Sequence, residues 1–158
     1  MRVDEIMCTH LEICRPEDSL QAAAQSMWDH DIGILPVVAA DGRLTSVITD
    51  RDIAMAAYTR GKPLGDIKVS EAMSKRLVTV LPSDDVHLAE ERMRAEQVHR
   101  IPVVDLGGSV KGIITINDLA HHLRSRKMAN GVTPEEVAGT VAAISAPRAA
   151  ASGAQARA

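Results

Sequence analysis

Two short stretches carry the residue types that could do chemistry. Ser46 to Ile53 reads SVITDRDI and Gly112 to Leu119 reads GIITINDL, so an apolar run ends twice in Thr-x-x-Asp, at Thr49/Asp52 and Thr115/Asp118. On spacing alone the pattern reads first as a capping box, in which the threonine hydroxyl accepts from a free backbone N–H and the aspartate favours the positive end of the helix dipole. The same three groups also suit a nucleotide. Free N–H groups at a helix start meet phosphate, a threonine hydroxyl donates to it, and a carboxylate accepts from both hydroxyls of a ribose. Other constellations are weaker. Cys8, His10 and Cys14 with His121-His122 match no structural zinc spacing and read as a solvated face, so no metal site is expected. The basic run Arg124-Ser125-Arg126-Lys127 complements a helix C-terminus. No G-x-S-x-G, P-loop or H-E-x-x-H pattern is present, and no enzyme is expected.

The elements that must position these residues are themselves duplicated. A shift of 66 positions carries Thr49 onto Thr115 and Asp52 onto Asp118, and without a gap it also superposes Met7 on Met73, Pro16 on Pro82, Ala23 on Ala89, Pro36 on Pro102, Gly42 on Gly108 and Ile48 on Ile114. This is a tandem repeat. In each copy a turn at Pro-x-Asp precedes an amphipathic helix, expected over Leu20 to His30 and Asp84 to Gln97. Two short apolar strands follow, Ile34 to Val38 with Leu44 to Ile48, and Ile101 to Val104 with Val110 to Ile114, joined by Asp41-Gly42 and Gly107-Gly108 turns. Thr-x-x-Asp then opens a second helix, Asp50 to Thr59 or Asn117 to Arg126. Each copy reads β-α-β-β-α. The organisation expected is repeat 1 over 1–60, a linker over 61–67, repeat 2 over 68–127, and over 128–158 a short helix capped at Thr133-Pro134-Glu135-Glu136 and running to about Ile144, followed from Ser145 by an Ala-rich mobile tail.

Composition narrows the class. The 158 residues are 46% hydrophobic with a formal net charge of −3, which disfavours general nucleic-acid binding. Trp28 and Tyr58 are the only aromatics, too few for a base-stacking platform, and Met7, Met27, Met55 and Met93 read as core filler. No signal-peptide order and no membrane-length apolar run occurs, so a cytoplasmic protein with free thiols at Cys8 and Cys14 is expected.

The ordered set of Ile6-Met7 or Ala72-Met73, an apolar Pro-Val-Val strand, and then SVITDRDI or GIITINDL resembles a tandem pair of cystathionine β-synthase (CBS) domains, a Bateman module, over about Val3 to Arg124. The short stand-alone form is similar to bacterial single-pair proteins of the hypoxic-response type. The resemblance implies an α+β fold in which the two repeats pack sheet to sheet with pseudo-twofold symmetry. It also implies two clefts for adenosine-type ligands: AMP, ADP, ATP or an S-adenosylmethionine-like molecule. Asp52 and Asp118 would hold ribose hydroxyls, and Thr49 and Thr115 would face phosphate. The copies differ where the first has Gly33-Ile34 and the second His99-Arg100. In nucleotide-binding relatives such a His-Arg pair reaches phosphate, so His99 and Arg100 would serve the Asp52 cleft and leave the other cleft only neutral Gly33 and Ile34. Pro36 and Pro102, within Ile34 to Pro36 and Ile101-Pro102, and the segments Thr9 to Leu11 and Lys75 to Leu77 are the expected walls for adenine. Small-residue faces at Ala22-Ala23-Ala24 and Ile53-Ala54-Ala57, which dimerise in relatives, imply a homodimer whose downstream effector is unknown. The rival reading is a dimeric structural or interaction protein that uses the fold without nucleotide, with or without a metal.

Overall fold

The computed structural model describes residues 1–124 and 131–147. In chain order it contains helix α1 (Leu20–Asp29), strands β1 (Ile34–Val38) and β2 (Leu44–Thr49), helix α2 (Asp50–Arg60), helix α3 (Val86–Glu96), strands β3 (Arg100–Val104) and β4 (Val110–Thr115), and helices α4 (Ile116–Arg124) and α5 (Pro134–Ser145). The fold is α+β, as expected.

Local chemistry explains the boundaries. Ser19 caps α1 by accepting from the N–H of Ala22, and Asp85 caps α3 by accepting from His87. Gly61 closes α2 in the left-handed region, with φ of +59°, where a side chain would be strained. Each sheet is an antiparallel hairpin, and both carry a bulge at equivalent places, Val37/Val38 and Val103/Val104. Their turns hold Gly42 and Gly108 at φ of +84° and +85°. The leading strand of each expected β-α-β-β-α unit does not form a strand of its own. It is reduced to single parallel bridges, Cys14 to Val37 and Val80 to Val103.

The repeats exchange their leading segments. Val3 is fully buried in the core of the second repeat beside Val86, Met93 and Ile114, and its N–H donates to Asp84 O at 2.9 Å. Val69, fully buried, belongs to the core of the first repeat with Leu20, Leu35 and Ile48, and its N–H donates to Asp18 O at 2.8 Å. Cys8 pairs both ways with Ile113, whereas Ser74 donates to Val47 O. Each half is therefore closed by the segment that precedes the other, and the hairpin turns meet where Leu44 N donates to Gly108 O at 2.9 Å.

Helix α5 starts with the expected box at Thr133 and Glu136 and has Pro134 in its first turn. It docks on α3 and α4, burying Val137, Thr140 and Ile144. Ala146 O, past the expected tail boundary at Ser145, accepts from Gln97 Nε2 at 3.3 Å. The basic run from Ser125 and the tail beyond residue 147 lie outside the described residues. Met27 and Met93 are core residues, but Met55 is 51% exposed: its position on α2 turns away from the buried Ile53 and Ala56.

Candidate functional site

Both Thr-x-x-Asp motifs form the capping box. At the start of α2, Asp52 Oδ2 accepts from the Thr49 backbone N–H at 2.9 Å and from its hydroxyl at 2.7 Å, while the Asp52 N–H donates to Thr49 Oγ1 at 3.2 Å. At α4 the distances for Thr115 and Asp118 are 2.8, 2.7 and 3.2 Å. The cap uses one carboxylate oxygen. Oδ1 of Asp52 and Oδ1 of Asp118 have no protein partner among the described residues. Capping thus leaves an acceptor on each half-buried aspartate for a ligand.

Each aspartate borders a cavity between the two halves. The Asp52 cavity, of about 380 Å³, is lined by Ile34, Val47, Thr49 and Asp52 from the first repeat and by Val98, His99, Arg100 and Pro102 from the second, with Arg51, Ser74, Arg76 and Val78 around them. The structure thus brings Thr49, Asp52, His99, Arg100 and Pro102 into one place. The Asp118 cavity, of about 200 Å³, is lined by Thr115, Asp118 and Ile113 and by Gly33, Ile34, Leu11, Cys8, His10, Glu12, Asp31, Ile32 and Arg100.

Three expectations need correction. The Asp118 cleft is not served by neutral residues alone, because Arg100 reaches across Gly33 and lines both cavities. Pro36 is buried in β1 opposite Val47 and borders neither cavity, whereas Pro102 borders the Asp52 cavity. The segment Lys75 to Leu77 presents alternate residues: in extended backbone Ser74, Arg76 and Val78 face the cavity, while Lys75 and Leu77 do not line it, and Leu77 is 38% exposed. Thr9 likewise does not line the Asp118 cavity, where His10 stands at the position equivalent to Arg76.

Arg51 and Arg76 were not singled out from the sequence. Arg51 lies inside the Thr-x-x-Asp motif itself, and the period of two through Ser74 to Val78 was the signal for Arg76. With Arg100 and His99 they make the Asp52 cavity rich in cationic donors around one carboxylate, although Arg76 is also paired with Glu96. Such a lining suits an anionic ligand that also carries hydroxyls. The Asp118 cavity is the reverse, with Glu12, Asp31 and Asp118 against Arg100.

The thiols do not join a metal cluster. Cys14 is buried, and burial, helped by the nearby Asp18 charge, pushes its thiol up to about 12, whereas Cys8 is exposed. Among the described residues no three His, Cys, Asp or Glu side chains come together as a metal site. No helix among them is long and apolar enough to cross a membrane.

The chain matches the CBS domain model twice, over residues 3–58 and 69–125. It is 36% identical to the CBS domain-containing protein YhcV of Bacillus subtilis over 127 residues, 80% of this chain and 89% of that protein. Its fold is similar to the CBS domain pair of protein MJ0100 in complex with 5′-methylthioadenosine and S-adenosyl-L-methionine, with a TM-score of 0.72, 27% identity, and 80% and 98% of the two chains covered. It is also similar to the CBS domain protein PAE2072 of Pyrobaculum aerophilum complexed with AMP, with a TM-score of 0.69, 26% identity, and coverage of 75% and 90%. A third neighbour is hypoxic response protein I with two coordinated zinc ions, with a TM-score of 0.71, 31% identity, and coverage of 78% and 99%. With two consecutive family matches joined by one short linker, the chain belongs to the CBS domain family as a tandem pair.

Proposed function

We propose that this chain is a non-catalytic regulatory sensor that binds an adenosine-type ligand in the clefts between its repeats. The candidates are AMP, ADP, ATP or an S-adenosylmethionine-like molecule. One observation carries the reading: the Asp52 cavity sets a half-buried carboxylate with a spare oxygen opposite Arg100 and His99 from the other repeat. Ribose hydroxyls would bond Asp52 Oδ1, the basic groups would face phosphate beside Thr49, whose hydroxyl proton goes to Asp52 in the cap, and the aliphatic Ile34, Val47, Val78 and Pro102 would flank adenine. The neighbours that hold AMP, S-adenosylmethionine and 5′-methylthioadenosine support this ligand class. Because the cleft walls come from both repeats, a ligand that contacts both favours one relative packing of the halves, and an effector protein would read that change in the cytoplasm.

The assembly we propose is a homodimer through the first repeat. The α1/α2 face carries an open groove of about 540 Å³ lined by Ala24, Trp28, Ala54, Ala57 and Leu64, and Trp28 beside it is 84% exposed. The equivalent α3/α4 face is covered by α5. A patch with both a knob and a hole suits an isologous contact.

The same groove is what favours a second reading, an interaction protein that uses the fold without nucleotide. A thermal-shift panel of AMP, ADP, ATP, S-adenosylmethionine, adenosine and zinc decides between the two. A concentration-dependent rise in melting temperature with an adenosine ligand supports the sensor. No rise with any of them supports the interaction protein.

A further inference from the structure

We propose that Arg100 is one anion anchor shared by two clefts, so that anionic ligands bind the Asp52 and Asp118 clefts with negative coupling. This rests on the nucleotide-binding reading and adds its regulation.

Three observations on the structure carry it. Arg100 opens β3 and borders the Asp52 cavity, the Asp118 cavity and the α1/α2 groove. Among the described residues no ion pair or hydrogen bond fixes its guanidinium, so the side chain is held to neither cleft. Its path across is open because of Gly33. A side-chain carbon on Gly33 would lie in van der Waals contact with Arg100 Nη2 at 3.4 Å and would press on Asp50 Oδ2 at 3.0 Å, so any larger side chain at this position would fill the space the Arg100 guanidinium occupies. The repeat makes this one-sided. The position equivalent to Gly33 in the second copy is His99, and the position equivalent to Arg100 in the first copy is Ile34, so no cation returns the crossing.

The two clefts depend on Arg100 to different degrees. Arg51, Arg76 and His99 also line the Asp52 cavity. Arg100 is the only arginine or lysine among the described residues lining the Asp118 cavity, where His10 is the other potential cation and Glu12, Asp31 and Asp118 are anionic. Glu12, Asp31 and Asp118 outnumber the cations of that smaller cavity even with Arg100 in place, so a phosphate there depends on direct contact with Arg100, and without it faces three carboxylates with only His10 beside them. A phosphate in the Asp52 cavity that engages Arg100 by its bidentate fork therefore withdraws the cation that the Asp118 cleft needs. Neutral adenosine makes no such demand.

Calorimetry on the full chain with ATP and with adenosine reads the coupling. Asp52→Asn weakens the first cleft and leaves Arg100 free, and the amide oxygen keeps an acceptor for the helix cap. We expect ATP to bind the Asp118 cleft on the order of tenfold more tightly in Asp52→Asn than in the wild-type chain with its first cleft filled. Adenosine should bind that cleft equally in both proteins. Arg100→Ala, an exposed position, should abolish the ATP difference while the chain still melts cooperatively. Equal ATP affinity at the Asp118 cleft in both proteins overturns the sharing and leaves the sensor reading intact, as does a difference that survives Arg100→Ala. Absence of binding by both adenosine and ATP in every protein overturns the sensor reading, and the sharing with it.

Discussion

Asp52 takes both polar hydrogens of Thr49 on a single oxygen: Oδ2 accepts from the backbone N–H at 2.9 Å and from the hydroxyl at 2.7 Å. The helix cap and the ligand site are therefore compatible uses of one side chain. Asp52→Asn keeps an oxygen for the cap and should shift stability by less than about 1 kcal/mol in urea unfolding. Thr49→Ala removes the hydroxyl that receives the Asp52 N–H and should lower stability by about 1 kcal/mol.

The two copies are not interchangeable at the position before the second apolar pair. A side-chain carbon on Gly112 would stand 2.6 Å from Met7 Sδ and 2.9 Å from Cys8 O, and the second of these is backbone. Ser46, its equivalent, is buried and donates to Ser74 O at 2.5 Å. Gly112→Ser should therefore destabilise the fold by about 1–3 kcal/mol. Ser46→Gly should cost about 1 kcal/mol through the lost hydrogen bond and the freer backbone. Chemical denaturation of both variants checks the asymmetry, and equal small effects would contradict the exchanged packing of Met7 and Cys8.

Helix α5 holds its place through a polar contact as well as apolar burial. Glu90 is 3% exposed, accepts from Arg94 Nη2 at 2.5 Å, and is also met by the hydroxyl of the fully buried Thr140. Thr140→Val leaves that carboxylate short of a donor and should cost about 1–3 kcal/mol. Ile144→Ala should cost about 2–5 kcal/mol by opening a cavity against the second core. Thermal melts of the two variants measure this.

Cys14 and Cys8 should differ in reactivity. The Cys14 thiol, pushed up to about 12 by burial first and by Asp18 second, stays protonated in the folded chain at neutral pH. A thiol reagent at pH 8 should label Cys8 at once and Cys14 only on unfolding. The sign of the linkage follows: the folded pKa lies above the unfolded value of about 8.5–9, so this group's contribution is complete below that value and declines as pH rises from there toward 12. A fall in melting temperature above about pH 9 that vanishes in Cys14→Ser is the expected result.

If the α1/α2 groove is a self-contact, Ala57→Arg should convert a dimer to a monomer in light scattering without lowering the melting temperature of the monomer. Ala57 is exposed on α2 and lines the groove. A monomeric wild-type chain at micromolar concentration contradicts the proposed assembly.

The helices, hairpins and turns were legible because their signals are local: Ser19 and Thr133 as caps, Gly42 and Gly108 as turn residues, and apolar runs of strand length around Pro36 and Pro102. The exchange of leading segments was not legible. Val3 and Val69 are the same residue type at the same place in the repeat, so either half could claim either one, and only tertiary packing chooses. The docking of α5 was hidden for a related reason. Glu90 shares the spacing of the core face with Val86, Ala89 and Met93, and nothing local sets Arg94 or Gln97 apart from solvated polar residues, yet each of the three bonds α5 or the residue after it, while their equivalents Ala24, Trp28 and Asp31 line the open groove. In the site, the paired Thr and Asp residues could be read from the sequence. The reach of Arg100 into both clefts could not, because it depends on the space above Gly33 rather than on spacing along the chain. Met55 stands in solvent and not in the core: a lone long apolar residue in an Ala-rich helix fits the core face and the solvent face of the pattern almost equally well.

Calorimetric titration of AMP into the full chain, Asp52→Asn and Asp118→Asn tests the ribose role of the two aspartates most directly. Two acceptors on an ionised carboxylate hold the ribose better than one amide oxygen, and loss of such charge-assisted hydrogen bonds costs about 1.5–3 kcal/mol, roughly tenfold to a hundredfold in affinity. The predicted result is saturable binding to the full chain, weakened by that factor at one cleft in Asp52→Asn and at the other in Asp118→Asn. Saturable binding unchanged in both variants, or no binding of AMP, ATP or S-adenosylmethionine to the full chain, would contradict the account and leave Thr-x-x-Asp as a duplicated helix cap.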